Sequence, residues 1–293
     1  MFKGSVVALV TPMADNGQVD YETLKNLVEF HINAGTDGVV AVGTTGEAST
    51  LPFDEHIKVV AKIVEYSDRR VPVIAGTGAN STSEAIELSQ ASAGVGVDGV
   101  LSVVPYYNKP QQRGLVAHFN AVADATDLPV LLYNVPGRTV TDLLPDTVVE
   151  LAKHPQIIGL KEATGDLKRL QVLKSKLSDD FILLSGDDPT ACEFMLQGGH
   201  GVISVTANIV PAIMAKLCQL ATSGKAEEAR ALDATIAALH HALFIEPNPV
   251  MPKWALYKMG LMPSPALRLP LVLPEQIHQN AIEQVMKNIG VLS

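Results

Sequence analysis

Eight short, β-rich apolar runs with helical stretches between them constrain this chain more than any other feature. They are GSVVALV (4–10), GVVAVG (38–43), VPVIAG (71–76), GVLSVV (99–104), LPVLLYN (128–134), IIGLK (157–161), FILLSG (181–186) and GVISV (201–205). Several are near-continuous rather than alternating, the pattern of parallel strands buried on both faces. Parallel neighbours need crossover connections, and the intervening sequence supplies them. In YETLKNLVEFHINAG (21–35), Leu24, Leu27, Val28 and Ile32 fall at i, i+3, i+4 and i+8, and Gly35 closes the helix. SEAIELSQASAG (83–94) and PDTVVELAKH (145–154) behave in the same way.

Eight strands alternating with helices predict an α/β fold, a (β/α)8 TIM barrel. The alternative is a doubly wound open sheet, supported by GVGVDG (94–99), a match to G-x-G-x-x-G. That match precedes a strand, whereas a dinucleotide-binding turn follows one. After residue 206 the strand signal stops. PAIMAKLCQLATSG (211–224), KAEEARALDATIAALHHALF (225–244), VMPKWALYKMG (250–260) and PEQIHQNAIEQVMKNIG (274–290) read as helices, with Pro247, Pro249 and Pro252 breaking the chain between them. The expected organisation is a barrel carrying the catalytic site over residues 1–224, followed by a C-terminal helical domain over 225–293.

Composition narrows the function. A hydrophobic fraction of 47% against 18% charged residues supports a large core. A net charge of −9 lacks the basic footprint that nucleic-acid binding needs. The apolar run in MFKGSVVALVTPM is too short for a membrane span and lacks a signal-cleavage pattern. Cys192 and Cys218 are too few for a disulfide framework, so a cytoplasmic, reduced protein is expected.

Barrel active sites lie at the C-terminal ends of the strands. Those ends deliver Thr11-Pro12, GTTGE (43–47), GTGAN (76–80), PYYNKP (105–110), YNVPGR (133–138), Lys161, SGDD (185–188) and SVTAN (204–208). Lys161 is the only lysine that terminates one of the eight runs. A partly desolvated amine gives up its proton more readily, and the neutral form attacks ketones and aldehydes to make a Schiff base. The bland reading is a lysine that snorkels to solvent or pairs with Glu162. Tyr133 ends the neighbouring strand, where a phenol can pass protons to and from a Lys161 adduct. Thr44 and Thr45 occupy a glycine-bracketed turn whose N–H and hydroxyl groups suit a carboxylate. Arg138 offers a fork for a second carboxylate or is a solvated loop arginine. The histidines show no metal-ligand spacing, and the His240-His241 pair faces two sides of a helix, so no metal is expected. No P-loop or G-x-S-x-G is present, and Asp187-Asp188 reads as a capped turn.

These motifs together carry a resemblance. GTTGE (43–47), IAGTGAN (74–80), PYYNKP (105–110), YNVPGRT (133–139), GLKEATGD (159–166), LLSGDD (183–188) and HGVISVTAN (200–208) occur in order along the chain. It resembles the pyruvate-dependent class I aldolase family that contains N-acetylneuraminate lyase, from Phe2 through the C-terminal helices. The resemblance implies a Schiff base between Lys161 and pyruvate, with no metal or organic cofactor. It implies a proton relay of Thr44, Tyr133 and Tyr107, the last reaching a neighbouring subunit across a tight dimer interface. Thr45 would help seat the pyruvate carboxylate, and the main chain at Gly186 and Ile203 would line the pocket. Arg138 would hold the carboxylate of L-aspartate 4-semialdehyde. That favours the condensing branch of the family, on the route to diaminopimelate and lysine, over a lyase of sugar acids such as N-acetylneuraminate. A barrel that binds without turnover is disfavoured because Lys161, Tyr133, Thr44 and Tyr107 are all present.

The family commonly assembles as a dimer of dimers, so a homotetramer is expected. It also implies a regulatory L-lysine site from Ser49, His56, Asn80, Glu84 and Tyr106, supplying charge and hydrogen bonds to the amino acid. Ala48 and Phe53 depart from the lysine-sensitive pattern, which often has serine and histidine there.

Overall fold

The computed structural model describes residues 2–292. In chain order its elements are β1 (Gly4–Ala8), α1 (Tyr21–Asn33), β2 (Gly38–Ala41), α2 (Phe53–Ser67), β3 (Val73–Gly76), α3 (Thr82–Gly94), β4 (Gly99–Val103) and α4 (Gln112–Asp124). There follow β5 (Val130–Asn134), α5 (Pro136–Thr139), α6 (Pro145–Leu151), β6 (Ile157–Glu162), α7 (Leu167–Lys174), β7 (Ile182–Ser185), α8 (Asp188–Leu196) and β8 (Gly201–Ser204). The chain ends in α9 (Pro211–Thr222), α10 (Ala226–Ala242), α11 (Val250–Lys258) and α12 (Gln276–Asn288). Among the described residues, eight parallel strands pair in sequence order and close into a barrel. Closure runs from Gly4 opposite Gly201 to Val7 opposite Ser204. The two strands approach so closely that a Cβ on Gly201 would lie 2.2 Å from the Gly4 carbonyl oxygen. Each of the eight apolar runs forms a strand, and GVGVDG is the turn between α3 and β4.

Alternation along the strands sorts the core into layers. Val6, Ala8, Val40, Ile74, Leu101, Leu131, Ile182, Leu184 and Ile203 fill the barrel interior with Tyr133, and Phe2 joins them. The intervening residues face the helices. Val7, Val39, Ala41, Val73 and Ala75 pack with Leu24, Leu27 and Val28 of α1 and Val59, Val60 and Ile63 of α2. The same cluster continues through Met214 and Leu217 of α9 to Ile236 and Leu239 of α10, Met251 and Leu256 of α11, and Ile282 and Met286 of α12. The C-terminal helices thus share the barrel's outer core, and α9 closes the ring by packing on β1 and β8.

Helix ends follow the sequence signals. Asp20 caps α1 by accepting the Thr23 N–H at 3.0 Å, and Gly35 leaves the helix at φ +83°.

Buried histidines lie inside this scaffold, His31, His56 and His118 among them. Burial pushes His31 down to about 3 and His56 and His118 down to about 4, so each stays neutral well below pH 6.5. The unfolded chain takes up protons at these sites near pH 6.5, and the folded chain does not. Stability is therefore lost as pH falls from about 6.5 towards 4, at about 1.4 kcal/mol per pH unit for each histidine. Denaturant unfolding at pH 6.5 and 5.0 should show His31→Gln less pH-sensitive than the wild type by about that one-histidine slope. Parallel pH dependences in the two proteins would contradict this account.

Candidate active site

The site starts from the pleat of β6. Leu160 packs outward among the helices, so Gly159 and Lys161 take the inward positions. Glu162 then faces outward and is fully engaged there. It accepts from Arg169 Nε at 3.1 Å, Asn134 Nδ2 at 3.2 Å and the Thr164 N–H at 2.9 Å. Arg169 in turn donates to Asp142 Oδ2 at 2.9 Å and the Leu143 carbonyl at 2.7 Å. Sequence neighbours of opposite charge are thus held on opposite faces of the sheet. Among the described residues no carboxylate pairs with Lys161.

Lys161 is only 6% exposed, and its Nζ lies 4.2 Å from the centroid of the Tyr133 ring. The two residues stand opposite each other in the β5–β6 register. Gly186 makes room for the lysine stem: a Cβ there would lie 2.7 Å from Lys161 Cε and 3.0 Å from its Cγ. Position 186 therefore has to be glycine if Lys161 is to reach the barrel mouth in this conformation.

The turn after β2 is bracketed by two residues in the left-handed region, Val42 at φ +53° and Glu47 at φ +59°. Such a conformation is costly for a β-branched residue and is kept only where the surroundings enforce it. Thr11 Oγ1 donates to the Gly46 carbonyl at 2.8 Å. Asn248 Nδ2 donates to Thr45 Oγ1 at 2.9 Å. The Thr45 oxygen is thereby occupied as an acceptor, which leaves its O–H free to donate to another group. Arg138, on α5, donates from Nη2 to the Asn248 carbonyl at 3.4 Å. Asn248 thus touches both expected carboxylate-binding side chains. The sequence gives no hint of this role, because NPVMP reads there only as a helix break.

These groups converge on a cavity of about 540 Å³ lined by Thr44, Thr45, Tyr133, Arg138, Lys161 and Gly186, with Asn248 in its wall. Ile203 lies in the packed barrel interior and does not line the cavity. Tyr107 is also absent from the cavity of its own chain. It stands 88% exposed at φ +75° on the loop after β4.

The same cavity is also lined by Ser49, His56, Glu84 and Tyr106, together with Ala48 and Phe53. Asn80 does not line it; its main-chain carbonyl instead accepts from Asn108 Nδ2 at 2.8 Å. His56 is fixed in one tautomer. Its Nε2 lies 2.9 Å from the Gly76 carbonyl, which can only accept, so Nε2 carries the proton and Nδ1 is left as an acceptor. Burial, partly opposed by this bond, holds the ring at about 4 and therefore neutral. Glu84 is the carboxylate among these lining residues. Burial, with Glu84 adding to it, pushes the Tyr106 phenol up.

The comparisons with known proteins agree with this geometry. The sequence model of the dihydrodipicolinate synthetase family matches residues 1–289. The 4-hydroxy-tetrahydrodipicolinate synthase of Pseudoalteromonas atlantica is 66% identical over 293 residues, all of both chains. A crystal structure of the chloride-inhibited dihydrodipicolinate synthase from Acinetobacter baumannii complexed with pyruvate superposes with a TM-score of 0.98 at 49% identity, over 100% of both chains. The enzyme from Cyanidioschyzon merolae with lysine bound superposes with a TM-score of 0.95 at 38% identity, over 99% of both chains. A barrel of this topology, with a buried lysine against a tyrosine ring and a match along nearly its whole length, belongs to the dihydrodipicolinate synthetase family.

Proposed function

We propose that this chain is a lyase of the Schiff-base type that condenses pyruvate with L-aspartate 4-semialdehyde to 4-hydroxy-tetrahydrodipicolinate, on the route to diaminopimelate and lysine. The observation that carries this reading is the buried Lys161 amine, 4.2 Å from the Tyr133 ring centroid at the base of the cavity. Its relatives of that name support the choice of substrates.

The neutral Lys161 amine adds to the pyruvate ketone, and loss of water gives the imine. Loss of a methyl proton yields the enamine, with the imine nitrogen as the electron sink. The enamine carbon attacks the aldehyde, forming the new C–C bond, and the aldehyde oxygen takes up a proton. The amino group of the second substrate then adds to the imine carbon and expels the Lys161 amine as the ring closes. Overall one water is lost. Thr44 and Tyr133 carry protons in these steps, together with Tyr107 from a second copy of the chain. The Thr45 hydroxyl and the neighbouring turn seat the pyruvate carboxylate, and Arg138 at the mouth receives that of the aldehyde. A carboxylate partner for Arg138 also argues against a sugar-acid substrate.

The exposure of Tyr107 fits a residue that completes a partner's site, within a homotetramer built as a dimer of dimers. The part of the cavity lined by Ser49, His56, Glu84 and Tyr106 is proposed to take L-lysine, with Glu84 facing its ammonium group and the neutral His56 and the Tyr106 phenol offering hydrogen bonds. The lysine-bound relative supports this assignment.

With both substrates and a coupling reductase, NADPH oxidation is expected from the wild type and should fall by several orders of magnitude in Lys161→Ala. Borohydride should trap pyruvate on the wild type and not on that variant. No turnover from folded wild type, with trapping intact, would move the substrate to another aldehyde. In Tyr133→Phe the rate is expected to fall on the order of 10²-fold, the low end for loss of an acid–base group. Added L-lysine should inhibit progressively, and activity unchanged into the millimolar range would remove the regulatory assignment.

A further inference from the structure

The turn that carries Thr44 and Thr45 ends in a buried carboxylate that the chemistry above does not use. Glu47 Oε1 lies 2.6 Å from Lys253 Nζ on α11, and both side chains are 0% exposed. Glu47 Oε2 accepts the Arg268 N–H at 3.1 Å. The Arg268 guanidinium then binds the Gly17 carbonyl at 2.8 Å, the Thr50 carbonyl at 3.0 Å, and Glu55. Neither Glu47 nor Lys253 lines the cavity.

A fully buried ion pair is weak support for stability, because the desolvation of two charges offsets much of their attraction and a well-packed apolar pair often serves as well. What such a pair does provide is geometry, since the lysine must meet the carboxylate at one separation and from one direction. Here it joins two segments that also meet in the cavity wall, at Thr45 and Asn248. On the barrel side, Glu47 lies two residues beyond Thr45. On the C-terminal side, Lys253 lies five residues beyond Asn248, whose amide binds the Thr45 hydroxyl at 2.9 Å. The C-terminal segment therefore grips the turn twice, once at its hydroxyl and once at its end. The second grip falls on a residue at φ +59°, where the backbone needs support to stay.

We propose that the Glu47–Lys253 pair is a positioning device that holds the 43–47 turn in the register at which Thr45 presents its hydroxyl to the pyruvate carboxylate. This role rests on the Schiff-base reading above. Neither residue touches substrate, and both act through Thr45.

The test compares the wild type with Glu47→Gln/Lys253→Met, which removes both charges together and leaves no buried ion unpaired, and with Lys253→Met alone. Three quantities are measured: the thermal midpoint, the pyruvate dependence of borohydride trapping, and the half-saturation for the aldehyde. The single variant should lose thermal stability, whereas the double variant should melt close to the wild type. In the double variant, half-saturation for pyruvate should rise at least about tenfold, the loss expected from one misplaced hydrogen bond to a carboxylate. Trapping at saturating pyruvate and half-saturation for the aldehyde should stay near wild-type values. A stable double variant with unchanged pyruvate dependence overturns the positioning role. Equal weakening for both substrates together with a lowered melting point assigns the pair a purely structural part and also overturns it. Absence of trapping in the wild type would instead overturn the Schiff-base reading itself.

Discussion

The alternation of side chains along β6 is the constraint on which this site depends. Consecutive strand residues must face opposite sides of the sheet, so Lys161 and Glu162 cannot share a face. The carboxylate is spent outside, on Arg169, Asn134 and the Thr164 N–H. The amine is left inside, against an aromatic ring and beneath a cavity. Had the register of β6 slipped by one residue, the carboxylate would face the barrel and the amine would be neutralised by the outer network. The outer network is thus part of the catalytic design, although none of its members touches the cavity floor. By satisfying Glu162 it fixes which residue of the pair turns inward.

Much of this was legible in the sequence because it is local. Near-continuous apolar runs separated by amphipathic helices carry the period of a parallel barrel, and the order of the strands follows from it. Lys161, Tyr133, Thr44, Thr45 and Arg138 each end a strand or sit in the turn just beyond one. A rule about strand ends therefore finds them without knowledge of any contact. Ile203 falls outside that rule: it lies in the middle of its run, and its side chain packs in the barrel interior.

What was not legible is set by contacts between distant parts of the chain. Asn248 and Lys253 lie in a proline-broken segment with no strand to place them, yet they bind Thr45 and Glu47 across most of the sequence. The protonation of His56 is set in a similar way. Its charge depends on burial and on the Gly76 carbonyl, and a residue letter reports neither. Tyr107 is a different case, since its φ of +75° and its exposure belong to the loop after β4 and cannot be read from the residue letter.

One short stretch of backbone lines the cavity on both sides of Glu47. Thr44 and Thr45 line it before that residue, and Ala48 and Ser49 after it. A ligand beside one pair alters binding beside the other only by favouring one of two arrangements of some shared element. This stretch carries both pairs, and its conformation at Glu47 is tied to Lys253 and to the Arg268 N–H. A molecule seated by Glu84 and Tyr106 would have to work against that anchor to displace Thr45. The contact proposed to hold the turn in register for pyruvate is therefore the same one that limits how far a ligand beside Ser49 can influence Thr45.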